Sequence, residues 1–256
     1  MESWIETAHA AADAAREVTR RWYRGSPPTE HKAASSPIVT LADQESESAI
    51  RAVIASRHPE HGIHGEEGED IEGAPGAPVW VIDPIDGTIA FATGKPLFTT
   101  LVSVTCSGES VLGLIDQSIT GERWLGGRGI PSTLNGVRVH SSAPTSLSRC
   151  RLGTTSPSYF SPSQLSSFMR LSSSVHVTSW GGDAYNYALL ATGTIDLVVE
   201  AGLSWHDWAA LVPIVAGSGG VITDWSGGPL RPGQASIVAA SSPSVHAAAL
   251  SVLNQG

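Results

Sequence analysis

The run Trp80-Val-Ile-Asp-Pro-Ile-Asp-Gly-Thr88 constrains this chain more than any other stretch. It starts as an apolar strand and ends abruptly in Asp83 and Asp86, two carboxylates separated only by Pro84 and Ile85. Such an ending makes a poor core, because a carboxylate taken out of water is costly unless positive charge meets it. It makes a good cation site. Both side chains carry hard oxygens, the proline-containing turn can aim a backbone carbonyl at the same ion, and Gly87-Thr88 opens the backbone toward a phosphate. Standing alone, the run would be accounted for by an Asp-Pro/Asp-Gly turn with capping carboxylates.

It does not stand alone. Upstream, His64-Gly-Glu-Glu67 sets Glu66 and Glu67 beside a glycine, and downstream Trp205-His-Asp-Trp208 puts Asp207 at an apparent helix start. Each is weak by itself: acidic loops are usually just solvated, and Asp207 could simply cap its helix. Taken in order, Gly-Glu-Glu, Asp-Pro-Ile-Asp-Gly-Thr, Trp-x-Asp-Trp-Ala-Ala and Gly-x-Gly-Gly resemble the inositol monophosphatase family of magnesium-dependent phosphatases. Further stretches, Phe91-Ala-Thr-Gly-Lys-Pro-Leu-Phe98, Gly113-Leu-Ile-Asp-Gln117, Thr120-Gly-Glu-Arg-Trp124 and Trp180-Gly-Gly-Asp-Ala-Tyr-Asn-Tyr187, are similar to its histidinol-phosphatase branch. The resemblance runs from about Lys32 to Gly228.

Composition sets the limits around this reading. With 256 residues, 41% of them hydrophobic, the chain can bury a substantial core, and no compositional break marks off a second module. A single domain over residues 1–256 is expected, with a metal-binding and catalytic sub-region over about 1–140 and a substrate-binding one over about 141–256. The net charge of -9 disfavours a nucleic-acid polymer as partner and fits a phosphate substrate only if cations are supplied. Divalent metal removes that conflict. Cys106 and Cys150 have no C-x-x-C spacing and suggest neither a disulfide framework nor a zinc site. No apolar run approaches spanning length and the first residues are acidic, so no membrane contact and a cytoplasmic location are expected.

Periodicity predicts a covering helix over 3–23, a second over 44–57, strands over 99–105, 111–115 and 123–125, a helix over 185–192, a buried strand over 195–200, and a helix over 207–216 that Pro213 should kink. The Ser/Thr/Pro-rich stretch 141–166 is read as a strand near 151–154 between polar loops. These elements interleave as an α/β chain. The resemblance sharpens that to layered inositol-monophosphatase/fructose-bisphosphatase-like packing, in which helix pairs alternate with two sheets.

The resemblance also implies roles. Glu66, Asp83 and the Ile85 carbonyl would hold one Mg²⁺, Asp83, Asp86 and Asp207 a second, and a third, weaker ion would sit near Glu66. Asp43 and Thr88 would orient the attacking water, with Glu66 contributing to catalysis. Gly87 and Thr88 would offer N–H groups to phosphate oxygens, and Lys32 would lie near the phosphate. Asp183 and Glu200 would read the rest of the substrate, a small phosphate monoester; two acids suit an aminoalcohol such as histidinol phosphate. Inositol, amino-sugar and nucleotide 3′-phosphate monoesters are the alternatives within the enzyme class, and a catalytically idle binding subunit is the alternative outside it. Ile89 and Ala90 replace more polar residues of the branch and weigh against histidinol phosphate. His206 precedes Asp207 where the branch has other residues; because Mg²⁺ prefers oxygen, it reads as a helix-end residue behind the ligands. A homodimer is implied as well, with the strand Glu122-Arg-Trp-Leu125 as part of its interface or of a pocket reached across it.

Overall fold

The computed structural model describes residues 1–25, 29–30 and 39–255. Helix α1 (Glu2–Trp22) buries Ala8, Ala11, Ala12 and Ala15 along one face, and these small side chains let it lie close to α2 (Leu41–Arg57). Between them runs a short antiparallel pair, β1 (Thr29–Glu30) and β2 (Val39–Thr40). The pair of helices covers one face of a seven-stranded sheet. Its strands lie in sequence order: β3 (Gly62–Gly65), β4 (Val79–Asp86), β5 (Thr99–Cys106), β6 (Glu109–Gln117), β7 (Glu122–Gly127), β8 (Ile130–Leu134) and β9 (Val137–Arg138). In this sheet only β3 and β4 pair in parallel; the remaining neighbours are antiparallel. At the end of β4 the one-turn helix α3 (Thr88–Ala92) begins.

The second sheet has five strands in the order β11 (Val177–Trp180), β10 (Arg151–Thr154), β12 (Leu197–Ala201), β14 (Ser236–Ala240) and β13 (Val221–Thr223). Its outer face carries α4 (Pro162–Ser172) and α8 (Pro243–Leu253). Between the two sheets lie α5 (Tyr185–Ala191), the short α6 (Trp205–Trp208) and α7 (Leu211–Gly217), whose core joins Val81, Leu101 and Ile115 of one sheet to Val198, Ile237 and Ala239 of the other. The expected layering, helix pair, sheet, helices, sheet, helix pair, is the one observed.

Differences from expectation have local causes. The helix expected over 207–216 is two segments, broken at Ala209-Ala210. Pro213 cannot bond the carbonyl four residues earlier, that of Ala209, and its ring crowds it, so it serves instead inside the first turn of α7. Helix α4 occupies part of a stretch read as loop: Ser161 caps it by accepting from Gln164 N, while the Gln164 side chain accepts from Ser161 N. Helix α8 starts in the same way, Ser242 capping ahead of Pro243. Trp124, in the strand expected near an interface, is itself covered within the chain. It is fully buried in the chain's own inner layer, edge-on to Tyr185 at 5.7 Å, and neighbouring Arg123 is bonded to Asp116 and Asp13.

Candidate active site

A strand with uninterrupted alternation would send residues three apart to opposite faces. Asp83 and Asp86 nevertheless converge, because the ladder slips between them. Asp83 pairs with Leu101 and Asp86 with Thr99, so Pro84 and Ile85 together face only Thr100. Pro84 has no N–H to give the ladder, which makes the bulge at this point inexpensive, and Thr100 Oγ1 donates to the Pro84 carbonyl at 2.8 Å. The bulge also leaves the Ile85 N–H to bond Asp83 Oδ1 at 3.1 Å. Asp86 Oδ2 accepts from Ala184 N at 2.7 Å and from Thr99 Oγ1 at 3.4 Å.

Asp207 arrives from the middle layer. It sits in the first turn of α6, where its Oδ2 accepts from Ser204 N at 2.6 Å. Two glycines set how closely this layer approaches: a methyl at Gly113 would come within 2.0 Å of the Ala210 carbonyl oxygen, and one at Gly126 within 2.7 Å of the Pro213 carbonyl oxygen. Ligand-capable oxygens of Asp83, Asp86 and Asp207 lie within 4.8 Å of one another. A second group on the same scale joins Asp83 to Glu66 and His206. Burial first, then the negative charge of Glu66, Asp86, Asp207 and Asp43, pushes the Asp83 carboxyl well above the ordinary range. Burial followed by Asp183 and Asp207 does the same to Asp86, and burial raises Asp207 against the pull of His206 and Ser204 N.

Two supporting arrangements flank this cluster. Asp43, buried on α2, and the Ile85 carbonyl bracket the Thr88 hydroxyl at 3.3 and 3.2 Å. The Glu66 loop is fastened to the same helix by Glu47, which accepts from Glu67 N at 2.8 Å and Gly68 N at 2.7 Å and is itself paired with Arg51 at 2.8 Å. Gly65 and Gly68 permit that fastening, since a methyl at Gly65 would meet Glu47 and Arg51 at 2.6 Å. Sequence reading missed Glu47. Its signal was the Glu47/Arg51 spacing of four residues on a helix, common enough on solvated faces to carry no weight alone.

The cluster forms one wall of a cavity of about 340 Å³ between the two sheets. On the opposite side the backbone of Gly181, Gly182 and Asp183 runs through three successive positive φ values, 85°, 117° and 44°. Asp183 is held in this strained turn with its carboxylate against Gly87: a methyl on Gly87, itself at φ 84°, would stand 3.1 Å from Asp183 Oδ2. Burial, then Asp207, raises the Asp183 carboxyl to about 6. Glu200, near the end of β12, accepts from Thr155 Oγ1 and, at 2.9 Å, from Tyr187 Oη. Burial foremost, with Asp183 and Asp207 adding to it against those hydrogen bonds, lifts Glu200 to about 7. Three large apolar side chains that stay exposed, Ile89, Tyr159 and Trp180, complete the cavity, and Lys95 lies on its rim.

The structure thus brings Asp43, Glu66, Asp83, Ile85, Asp86, Gly87, Thr88, Asp183, Glu200 and Asp207 to one place; Lys32 falls outside the described residues. Thr155 and Tyr159 were not singled out from sequence, and Lys95 and Tyr187 entered only inside longer motifs with no role of their own, since isolated hydroxyls and a loop lysine give no pattern by themselves.

Comparison with known proteins identifies the family. The model of the inositol monophosphatase family matches residues 1–255. The chain is 42% identical over 228 residues to "Bifunctional phosphatase IMPL2, chloroplastic" of Arabidopsis thaliana, a match covering 89% of the chain but 66% of that longer protein. It is 34% identical over 266 residues to the histidinol-phosphatase of Streptomyces coelicolor, covering 98% and 97% of the two chains. The solved structure of an inositol monophosphatase from Zymomonas mobilis superposes with a TM-score of 0.89 at 40% identity, over 99% of this chain and 98% of that one. Fold and sequence agree, and the chain belongs to the inositol monophosphatase family of metal-dependent phosphatases.

Proposed function

We propose that this protein is a Mg²⁺-dependent histidinol-phosphate phosphatase, releasing L-histidinol and phosphate. The donor set fits the metal. Crowded, buried carboxylates of raised pKa repel one another until a cation joins them, and every oxygen in the Asp83–Asp86–Asp207 group is hard. Glu66, Asp83 and the Ile85 carbonyl would hold one ion, Asp83, Asp86 and Asp207 another, and Glu66 would border a third. Bound there, the ions supply charge neutralisation at the phosphoryl group and the leaving oxygen, and lower the pKa of water.

The protein's own groups do the rest. Thr88 Oγ1, between Asp43 Oδ1 and the Ile85 carbonyl, can direct its hydroxyl hydrogen to Asp43 and present a lone pair to the attacking water, so the Asp43 carboxylate drains the proton through Thr88. The first-turn amides of α3 are not used within the helix and suit phosphate oxygens. The departing aminoalcohol lies toward the second sheet, with Asp183 and Glu200 opposite its ammonium.

One observation carries the choice of substrate. The cavity combines two acids poised to become anionic near neutral pH with an exposed apolar wall of Ile89, Tyr159 and Trp180. An ammonium next to a flat imidazole ring satisfies both surfaces, whereas a polyol leaves the apolar wall without a partner. Ile89 therefore favours the ring it was first read as opposing. Similarity to a histidinol-phosphatase supports the same reading. A homodimer, on family grounds, and a cytoplasmic location remain part of the proposal, tested by sedimentation and by fractionation; among the described residues no helix is long and apolar enough to cross a membrane.

The test is phosphate release from a panel of monoesters with and without Mg²⁺. Histidinol phosphate should lead, and Glu200→Gln should lower its kcat/KM by about thirtyfold, roughly 2 kcal/mol, while changing inositol 1-phosphate far less. Equal losses, or a parent enzyme preferring the polyol, would leave a family phosphatase of another specificity.

A further inference from the structure

We propose that His206 is a metal ligand, and that the position it forms with Glu66 and Asp83 takes a first-row transition ion such as Mn²⁺ in preference to Mg²⁺. The inference deepens the metal-site reading above and rests on Asp83 being shared between two positions. The two groups of donors differ in kind. Asp83, Asp86 and Asp207 offer oxygen only, whereas Glu66, Asp83 and His206 bring a ring nitrogen to within 4.8 Å of two carboxylate oxygens. Imidazole is a poor ligand for Mg²⁺ and binds first-row transition ions, with the affinity of a mixed nitrogen and oxygen site rising from Mn²⁺ through Co²⁺. Adjacent residues of α6, His206 and Asp207, thus serve adjacent positions that meet at Asp83.

The ring is held where this requires. His206 is stacked on His64, centroids 6.0 Å apart and planes 23° off parallel, and Trp205 meets the His64 ring at 4.9 Å. His64 is tied in turn to Asp70 at 2.8 Å, on the acidic loop that follows Glu66. Nε2 of His206 lies 3.7 Å from Asp207 Oδ1, an ion-pair separation beyond hydrogen-bond reach. A histidine present only to support Asp207 would be expected closer to it. The stack also couples the ligand to the Glu66 loop, so both sides of the mixed position are braced by one group of aromatic rings.

The experiment uses the full chain stripped of metal and titrated with Mn²⁺, followed by electron paramagnetic resonance, with pulsed detection of coupled ¹⁴N. Bound Mn²⁺ should show a directly coordinated nitrogen, and Mg²⁺ should displace that ion only at about a hundredfold excess or more. His206→Gln should lose the nitrogen coupling and weaken the first Mn²⁺ at least tenfold, whereas His64→Gln should keep the coupling. The parent spectrum decides even if His206→Gln fails to fold. Mn²⁺ bound without nitrogen coupling, or coupling lost in His64→Gln and kept in His206→Gln, overturns this inference alone. Absence of any tight Mn²⁺ binding overturns it together with the metal site.

Discussion

Asp86 and Glu200 are both buried acids, yet their surroundings make opposite demands on a substitution. Asp86 accepts two hydrogen bonds that an asparagine oxygen can also accept, and it is pressed by Asp183, Asp207 and Glu200. Asp86→Asn should therefore fold, and raise the melting temperature of the metal-free protein, while lowering kcat/KM at least ~10³-fold through loss of an anionic ligand. Activity within tenfold of the parent would remove Asp86 from the metal site. Glu200 allows a sharper test with no substrate at all. Its folded pKa, about 7, is above its unfolded value near 4.5, so the folded state binds the extra proton. The sign is fixed: stability from this group is fullest below pH ~4.5, declines as pH rises toward 7, and above that is lower by about 3 kcal/mol. Metal-free parent protein should lose more melting temperature between pH 5 and pH 8 than Glu200→Gln, and the difference between the two curves isolates this one carboxyl. Parallel curves would place Glu200 in contact with water or with an unseen cation.

At the scale of elements, the site depends on how near α6 and α7 come to the first sheet. Gly113 and Gly126 set that distance, so Gly113→Ala must push the Ala210 carbonyl away from a methyl it would meet at 2.0 Å. We expect a loss of at least ~3 kcal/mol in denaturant unfolding, the scale of an overpacked core, with activity falling further than stability because Asp207 moves too. A variant as stable and active as the parent would mean that α7 is free to slide. Glu47→Gln, in contrast, loosens only the Glu66 loop: it should weaken metal binding while global stability changes by about 1–2 kcal/mol, the value of charge-assisted bonds reduced to neutral ones. The elements that hold the acidic cluster were legible in the sequence because their signals are local. A strand ending in acids, Gly-Glu-Glu and a Trp-rich helix start each state their own chemistry. What was not legible depends on more distant partners. The caps Ser161-Pro-Ser-Gln164 and Ser242-Pro-Ser-Val245 are helix starts, but in a serine-rich region they look like loop, and only the five-stranded sheet's apolar outer face makes α4 and α8 worth forming. Likewise Trp124 reads as a surface aromatic until a second layer is laid over it.

Across the whole molecule, groups separated by much of the chain meet at one end of the space between the sheets: Asp43 from the outer helix pair, Asp83 and Asp86 from the first sheet, Asp207 from the middle layer, Glu200 from the second sheet. Like charges drawn from four layers oppose the docking of those layers, and the same charges favour docking once a divalent ion lies among them. The metal should therefore act on the fold as a whole as well as on the reaction. An ion present at a hundred times its dissociation constant adds about 2.7 kcal/mol to a protein that binds it only when folded. For a chain of this length that corresponds to a rise of roughly 5–10 °C in melting temperature. The rise should be smaller at pH 5.5 than at pH 8, because raised carboxyls such as Asp183 at about 6 and Glu200 at about 7 are then mostly protonated and there is less repulsion for the ion to relieve. Thermal melts of chelated protein against protein with saturating Mg²⁺, at both pH values and for Asp86→Asn beside the parent, give the answer. A metal-induced shift under 1 °C in the parent at pH 8, or an equal shift in Asp86→Asn, would show that the acids do not join the layers through a shared ion, and the catalytic assignment of the cluster would lose its structural basis.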